Sequence, residues 1–145
     1  MKLSMKSDYG ARAIIDLARH YGLGPVQTAE IAARQFVPEA YLEQLLTLLR
    51  KAGLVRSTRG PHGGHELTRP PAQITFGEVV RALEGSLAPL DCLDDAASCQ
   101  LSPTCSMRDV WAEVQVNTLR LLDSLTIETL VERQKVRESR VMYYI

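Results

Sequence analysis

This chain of 145 residues has no long apolar run. Nothing in it approaches the roughly 20 apolar residues of a membrane-spanning helix. Its start, MKLSMKSDYGARA, has no apolar core of the secretory-leader kind. The expected location is therefore the cytoplasm, with no membrane partner. Net charge is also absent, with 17 basic residues against 17 acidic ones. That removes the bulk signature of nucleic-acid binding but not a local one. Neither glycine-rich nucleotide loop, G-x-G-x-x-G or G-x-x-x-x-G-K, occurs. Histidine is scarce: His20, His62 and His65 are all there are, and none adjoins a cysteine. With no nucleophile–base pair in view, neither an enzyme nor a small-molecule substrate is expected. No internal repeat is visible.

Cysteine is scarce as well, and unevenly placed. Cys92, Cys99 and Cys105 all lie in CLDDAASCQLSPTC, residues 92–105. The spacing C-x6-C-x5-C lacks the C-x2-C knuckle of common zinc sites. A cytoplasmic setting disfavours structural disulfides, and inert cysteines usually sit in a core rather than in a polar loop. Three thiolates suit an iron–sulfur cluster, which normally takes four protein ligands, so one ligand must come from elsewhere. A metal-free alternative is a thiol switch with a reversible Cys92–Cys99 disulfide.

Charge is present, but divided. Residues 1–70 hold 10 basic and 6 acidic residues, and the remainder holds 7 and 11. The first part is the better candidate for facing nucleic acid. It begins with SDYGARAIIDLARHYG, helical by the spacing of Ala11, Ile14, Ile15, Ala18 and Tyr21, with Ser4 or Ser7 as its cap. TAEIAARQ reads as a short helix capped by Thr28. PEAYLEQLLTLLRKAG reads as a third, with Leu42, Leu45, Leu46 and Leu49 in one stripe. LVRST and HELT then alternate with period two around the turn-rich RGPHGG. Three helices followed by a hairpin is the order of a winged helix-turn-helix.

Beyond the joint RPPAQ, TFGEVVRALEG is a helix with a Thr75–Glu78 capping box and Gly85 as its stop. A long helix over about 106–125 carries Met107, Trp111, Val114, Thr118, Leu121 and Leu125 on one seam, the pattern of packing against a partner helix. A last short helix, IETLVERQ, precedes a polar tail. The expected fold class is mainly α: a winged helix-turn-helix DNA-binding domain with a long C-terminal dimerisation helix. The expected divisions are 1–72 for DNA binding, 73–105 for a connecting helix and cysteine loop, 106–132 for dimerisation and 133–145 for the tail.

In a helix-turn-helix the second helix enters the major groove. Here its first turns present Glu39, Ala40, Tyr41, Glu43 and Gln44. Gln pairs bidentately with adenine, Glu accepts from cytosine, and Tyr41 suits a phosphate. Arg59 at the hairpin suits a minor groove, with Gly60 allowing the turn and His62 within reach. Arg50 and Arg56 are candidate phosphate contacts.

The stretches SDYGARAIIDLA, GPVQTAEIA, YLEQLLTLLRKAGLVRSTRGPHGG, ITFGEVVRALEG and SMRDVWAEV resemble the Rrf-two family of bacterial winged-helix transcription regulators. The wing departs from that family's pattern, with His62 and His65 where a glycine and an aromatic residue are usual. The resemblance implies a homodimer on palindromic double-stranded operator DNA, acting as a repressor, with the long helix as interface. It also implies a cluster on the three-cysteine loop that senses nitric oxide, iron or redox state. In the family's IscR-like branch a histidine supplies the fourth ligand at the position held here by Arg108, which cannot ligate. The NsrR-like branch uses an acid that Asp8 matches, reaching over from the partner subunit. That favours a 4Fe–4S cluster, with 2Fe–2S as the alternative. Rival readings from other classes are a metalloenzyme or iron–sulfur carrier, and a winged-helix protein-interaction module.

Overall fold

A computed structural model describes residues 2–143. Its elements run α1 (Met5–Arg19), α2 (Thr28–Gln35), α3 (Glu39–Lys51), β1 (Val55–Thr58), β2 (Gly64–Leu67), α4 (Phe76–Glu84), α5 (Asp91–Asp94), α6 (Arg108–Asp123) and α7 (Ile127–Tyr143), with short 3-10 turns at Pro71–Gln73 and Ala96–Ser98. The strands pair antiparallel, Val55 opposite Leu67 and Thr58 opposite Gly64. This is the mainly helical winged fold that the patterns predict.

The expected leucine stripe is the centre of the core. Leu42, Leu45, Leu46 and Leu49 of α3 are all at most 1% exposed, packed with Ile14, Leu17, Ile31, Val55 and Leu67. The same core takes in Ile74, Val79 and Leu83 from α4 and its approach, and Ile127 and Val131 from α7. It therefore runs across the division expected at residue 72. Helix α4 crosses α1 so closely that a Cβ on Gly10 would collide with the Leu83 side chain.

Helix ends follow the sequence in part. Thr75 and Glu78 form the reciprocal capping box, and Gly85 stops α4. The start of α1 differs: neither Ser4 nor Ser7 caps it through its own turn. Instead Glu84 Oε1, at the end of α4, accepts from Ser4 N (2.7 Å), Ser4 Oγ (2.6 Å) and Ser7 Oγ (2.7 Å). These bonds, the Ser4 hydroxyl's foremost, hold the Glu84 carboxyl below its ordinary value. The N-cap of α2 is Gln27 rather than Thr28, whose hydroxyl is turned to His65. The last helix is long rather than short: α7 continues through the expected tail to Tyr143, and Arg19 of α1 pairs with its Glu138 at 2.6 Å. Among the described residues no helix is long and apolar enough to cross a membrane.

Candidate functional site

Two regions gather the singled-out residues. The first is the outer face of α3 with the wing. The helical period that buries the leucines leaves Glu39, Ala40, Glu43, Gln44 and Arg50 exposed. Tyr41 is half-buried, with its ring edge-on to Tyr9 at 5.9 Å between centroids. At the wing, Arg59, Gly60 and His62 are exposed, and Gly60 turns the chain at φ +110°. The tip rests on the start of α2, because Gln27 Nε2 donates to the Pro61 carbonyl at 3.3 Å. Between wing and α3 lies a shallow cleft of about 260 Å³ lined by Thr28, Glu39, Glu43, Gly60 and His65. Arg56 pairs across the hairpin with Glu66 at 3.2 Å, and Arg50 Nη1 reaches Ser57 Oγ at 3.4 Å.

The second region is the cysteine loop. Cys92 lies on the single turn α5, Cys99 follows the 3-10 turn, and Cys105 precedes α6. All three are free and half-buried. The loop is laced by local bonds: Asp95 Oδ1 accepts from Ala97 N at 3.1 Å, while Asp91 and Asp94 are exposed. Arg108, in the first turn of α6, donates to the Cys92 carbonyl from Nη2 at 2.9 Å and from Nε at 3.3 Å. A cleft of about 470 Å³ beside it is lined by Cys99, Gln100, Ser102 and Pro103. The Ser102 hydroxyl oxygen is buried there without a hydrogen-bond partner. No three His, Cys, Asp or Glu side chains among the described residues converge as a metal-holding group.

Asp8 lies on the exposed side of α1, where its carboxylate accepts from Arg12 Nη2 at 2.7 Å and Nε at 3.3 Å. No residue from 88 to 126 is fully buried. Helix α6 buries nothing, and its seam stands open: Met107 is 64% exposed, Trp111 40%, Val114 36% and Leu121 62%.

Two features of these regions escaped sequence reasoning. His65 is 8% exposed, lodged between β1 and α2; the alternation of HELT puts it on the inward face with Leu67, but nothing local gives the partners of its ring. Asp16, 2% exposed on α1, accepts from Arg34 and Gln35 of α2 and ties the first two helices together. Its place on the inner side of α1 was the available signal.

Comparison with known proteins bears on both regions. The family model described as "Rrf2: Iron-dependent Transcriptional regulator" matches residues 3–133. The HTH-type transcriptional regulator CymR of Bacillus subtilis is 37% identical over 145 residues, all of both chains. The solved structure of CymR, the global cysteine regulator of that organism, is 38% identical and superposes with a TM-score of 0.75 over 92% of this chain and 98% of that one. T. potens IscR is 40% identical, with a TM-score of 0.75 over 92% and 88%. The oxidized form of Staphylococcus aureus CymR is 33% identical, with a TM-score of 0.70 over 91% and 97%.

Proposed function

This chain belongs to the Rrf2 family of transcriptional regulators, and we propose that it is a homodimeric repressor whose operator affinity is set by an iron–sulfur cluster on the loop of Cys92, Cys99 and Cys105. Transcription regulators act in the cytoplasm, and that is the location proposed here. The observation that carries the reading is the loop itself: three free, half-buried thiols in a stretch, 88–126, that has no fully buried residue. Such a stretch needs a partner chain or a bound group to hold it.

The donor set fits. Thiolates are the usual ligands of iron–sulfur clusters, and the buried Ser102 hydroxyl is a donor of the kind that sulfide or thiolate accepts. Cys92, Cys99 and Cys105 would hold the group, with Asp8 of the partner subunit as the fourth ligand and 4Fe–4S as the preferred nuclearity. A bound cluster supplies a centre that reacts with nitric oxide or oxidants and that depends on iron supply. Asp8 would have to leave Arg12, an exposed pair of small worth, to serve.

The chain's own residues link the loop to the DNA-binding face. Arg108 grips the Cys92 carbonyl from the start of α6. At the far end of α6, Asp123 accepts twice from Arg81 of α4, both at 2.7 Å. Helix α4 then holds the start of α1 through Glu84. A shift of the loop is passed along these packed helices to the spacing of the two recognition helices. On the DNA side, Glu39, Ala40, Tyr41, Glu43 and Gln44 are proposed for the major groove. Arg59, with Gly60 and His62, is proposed for the minor groove, and Arg50 and Arg56 for phosphates.

A second reading, a reversible Cys92–Cys99 disulfide, is supported by one finding: Staphylococcus aureus CymR, to which the chain is similar, has a solved oxidized form. Anaerobic reconstitution separates the two. The wild-type protein should take up iron and sulfide with a coloured absorption band, and the protein with all three cysteines changed to alanine should take up neither. A colourless, iron-free wild-type product whose DNA binding responds to thiol oxidants would favour the disulfide. Mössbauer spectra of the loaded protein distinguish 4Fe–4S from 2Fe–2S.

A further inference from the structure

His65 joins three elements through one ring. Its Nε2 lies 2.9 Å from Thr28 Oγ1 at the start of α2, and its Nδ1 lies 2.8 Å from Ser57 Oγ on β1. Ser57 Oγ in turn accepts from Arg50 of α3. The backbone adds to the joint. His65 N donates to the Val26 carbonyl at 2.7 Å, and Val26 N donates back at 2.9 Å. The start of α2, the end of α3 and the wing are thus bonded to, or through, this residue.

We propose that His65 is the positioning residue that fastens the wing to α2 and α3, and that a proton taken up by its ring releases the wing and weakens operator binding. The proposal rests on the operator-binding reading above. A neutral imidazole donates from one nitrogen and accepts at the other, so one neighbouring hydroxyl donates to it. An imidazolium donates from both, and both hydroxyls must then accept. Whichever nitrogen takes up the proton, the imidazolium donates at both, and at Ser57 Oγ it shares the oxygen's two lone pairs with the Arg50 guanidinium. Burial, foremost, and the Arg50 charge hold the ring below its ordinary value, against the opposite pull of Glu43. Glu39 lines the cleft on the same side. On the other side His20, Tyr21, Arg56 and Glu66 share a small cavity with the ring, and Arg56 and Glu66 pair with each other. The sign follows: the latch is intact above the ordinary imidazole value of 6.5 and is lost as pH falls through the lower value of the folded protein.

The test uses a duplex enriched by selection from a random pool. Wild-type affinity should hold steady as pH falls from about 8 to about 7, then weaken below 6.5 by up to about tenfold per pH unit. Protonation of exposed histidines adds positive charge and has the opposite sign. In His65→Gln, which keeps a donor and an acceptor but gains no proton, the fall should vanish. Wild type and His65→Gln with the same pH profile, or wild-type binding that only strengthens on acidification, would overturn the proposal. Amide exchange at Val26 and His65, followed beside the ring's own NMR titration in the wild-type protein, needs neither DNA nor a folded variant. Exchange at both, taken relative to the intrinsic amide rate at each pH, should quicken as the ring takes up its proton, and indifference to that proton would also overturn the proposal. A protein that binds no duplex at any pH defeats the operator reading, while the exchange measurement still decides the role of His65.

Discussion

Changing Trp111 and Leu121 together to glutamate should yield a monomer by light scattering and cost operator affinity about 10²- to 10⁴-fold, the loss expected when two linked half-site contacts become independent. The ground is α6. A helix of 16 residues that buries none of them, yet shows Val110, Trp111, Val114 and Leu121 to solvent beside its N-cap Met107, has not met its packing partner within one chain. The spacing of Met107, Trp111, Val114, Thr118, Leu121 and Leu125 alternates four and three, which suits a second copy of the same helix. In a twofold interface each substitution appears twice, so four carboxylates would meet in an apolar seam, where unpaired charges are costly. The winged core lies elsewhere and should keep its cooperative unfolding. A double variant that stays dimeric would remove α6 as the interface.

Asp16→Ala should cost about 3 kcal/mol of folding free energy, read from denaturant midpoints. Asp16 is buried in α1, and its two oxygens accept from Arg34 Nε (2.9 Å), Arg34 Nη2 (2.8 Å) and Gln35 Nε2 (3.0 Å). His20 Nδ1 stands 3.6 Å away. Removing the carboxylate strands these donors and loosens α2, the helix on which both the wing tip and His65 lean. Arg34 is partly exposed and recovers some water, which keeps the cost below that of a wholly buried pair. The same site gives a pH signature. Burial alone would raise the Asp16 carboxyl, but the bonds from Arg34 and Gln35 outweigh it and hold it below the ordinary 3.8. Its contribution is therefore full above that value and is lost as pH falls through the lower value of the folded protein. Asp16→Ala should flatten the acid limb of the stability curve, and an unchanged limb would show that Asp16 does not contribute this way.

The parts of the fold legible in the sequence are those with local causes. Helix α3 follows from its leucine stripe, α4 from a capping box and a glycine stop, and the wing from two alternating runs around RGPHGG. Because α3 packs one face, its opposite face could be read off in advance as the DNA candidates. What was not legible depends on distant residues. KVRESRVMY has no apolar stripe to announce a helix, yet α7 continues through it, with Arg19 from the other end of the chain pairing with its Glu138. The start of α1 is tied down by a carboxylate 80 positions away. His65 is the odd residue in the wing by sequence, but only the fold shows its ring sealed between two hydroxyls. The cysteine loop was conspicuous by composition. The convergence of its thiols depends on what the loop binds, and spacing alone does not determine it.

The group held by Cys92, Cys99 and Cys105 is expected to govern DNA binding. This control is tested most directly by anaerobic titration of one selected operator duplex with three proteins: iron-loaded wild type, apo wild type, and the variant with all three cysteines changed to alanine. Loaded and apo protein should differ by about tenfold or more, within the usual range of coupling between sites, and the variant should match apo protein with or without iron and sulfide. Equal affinity for all three would contradict it.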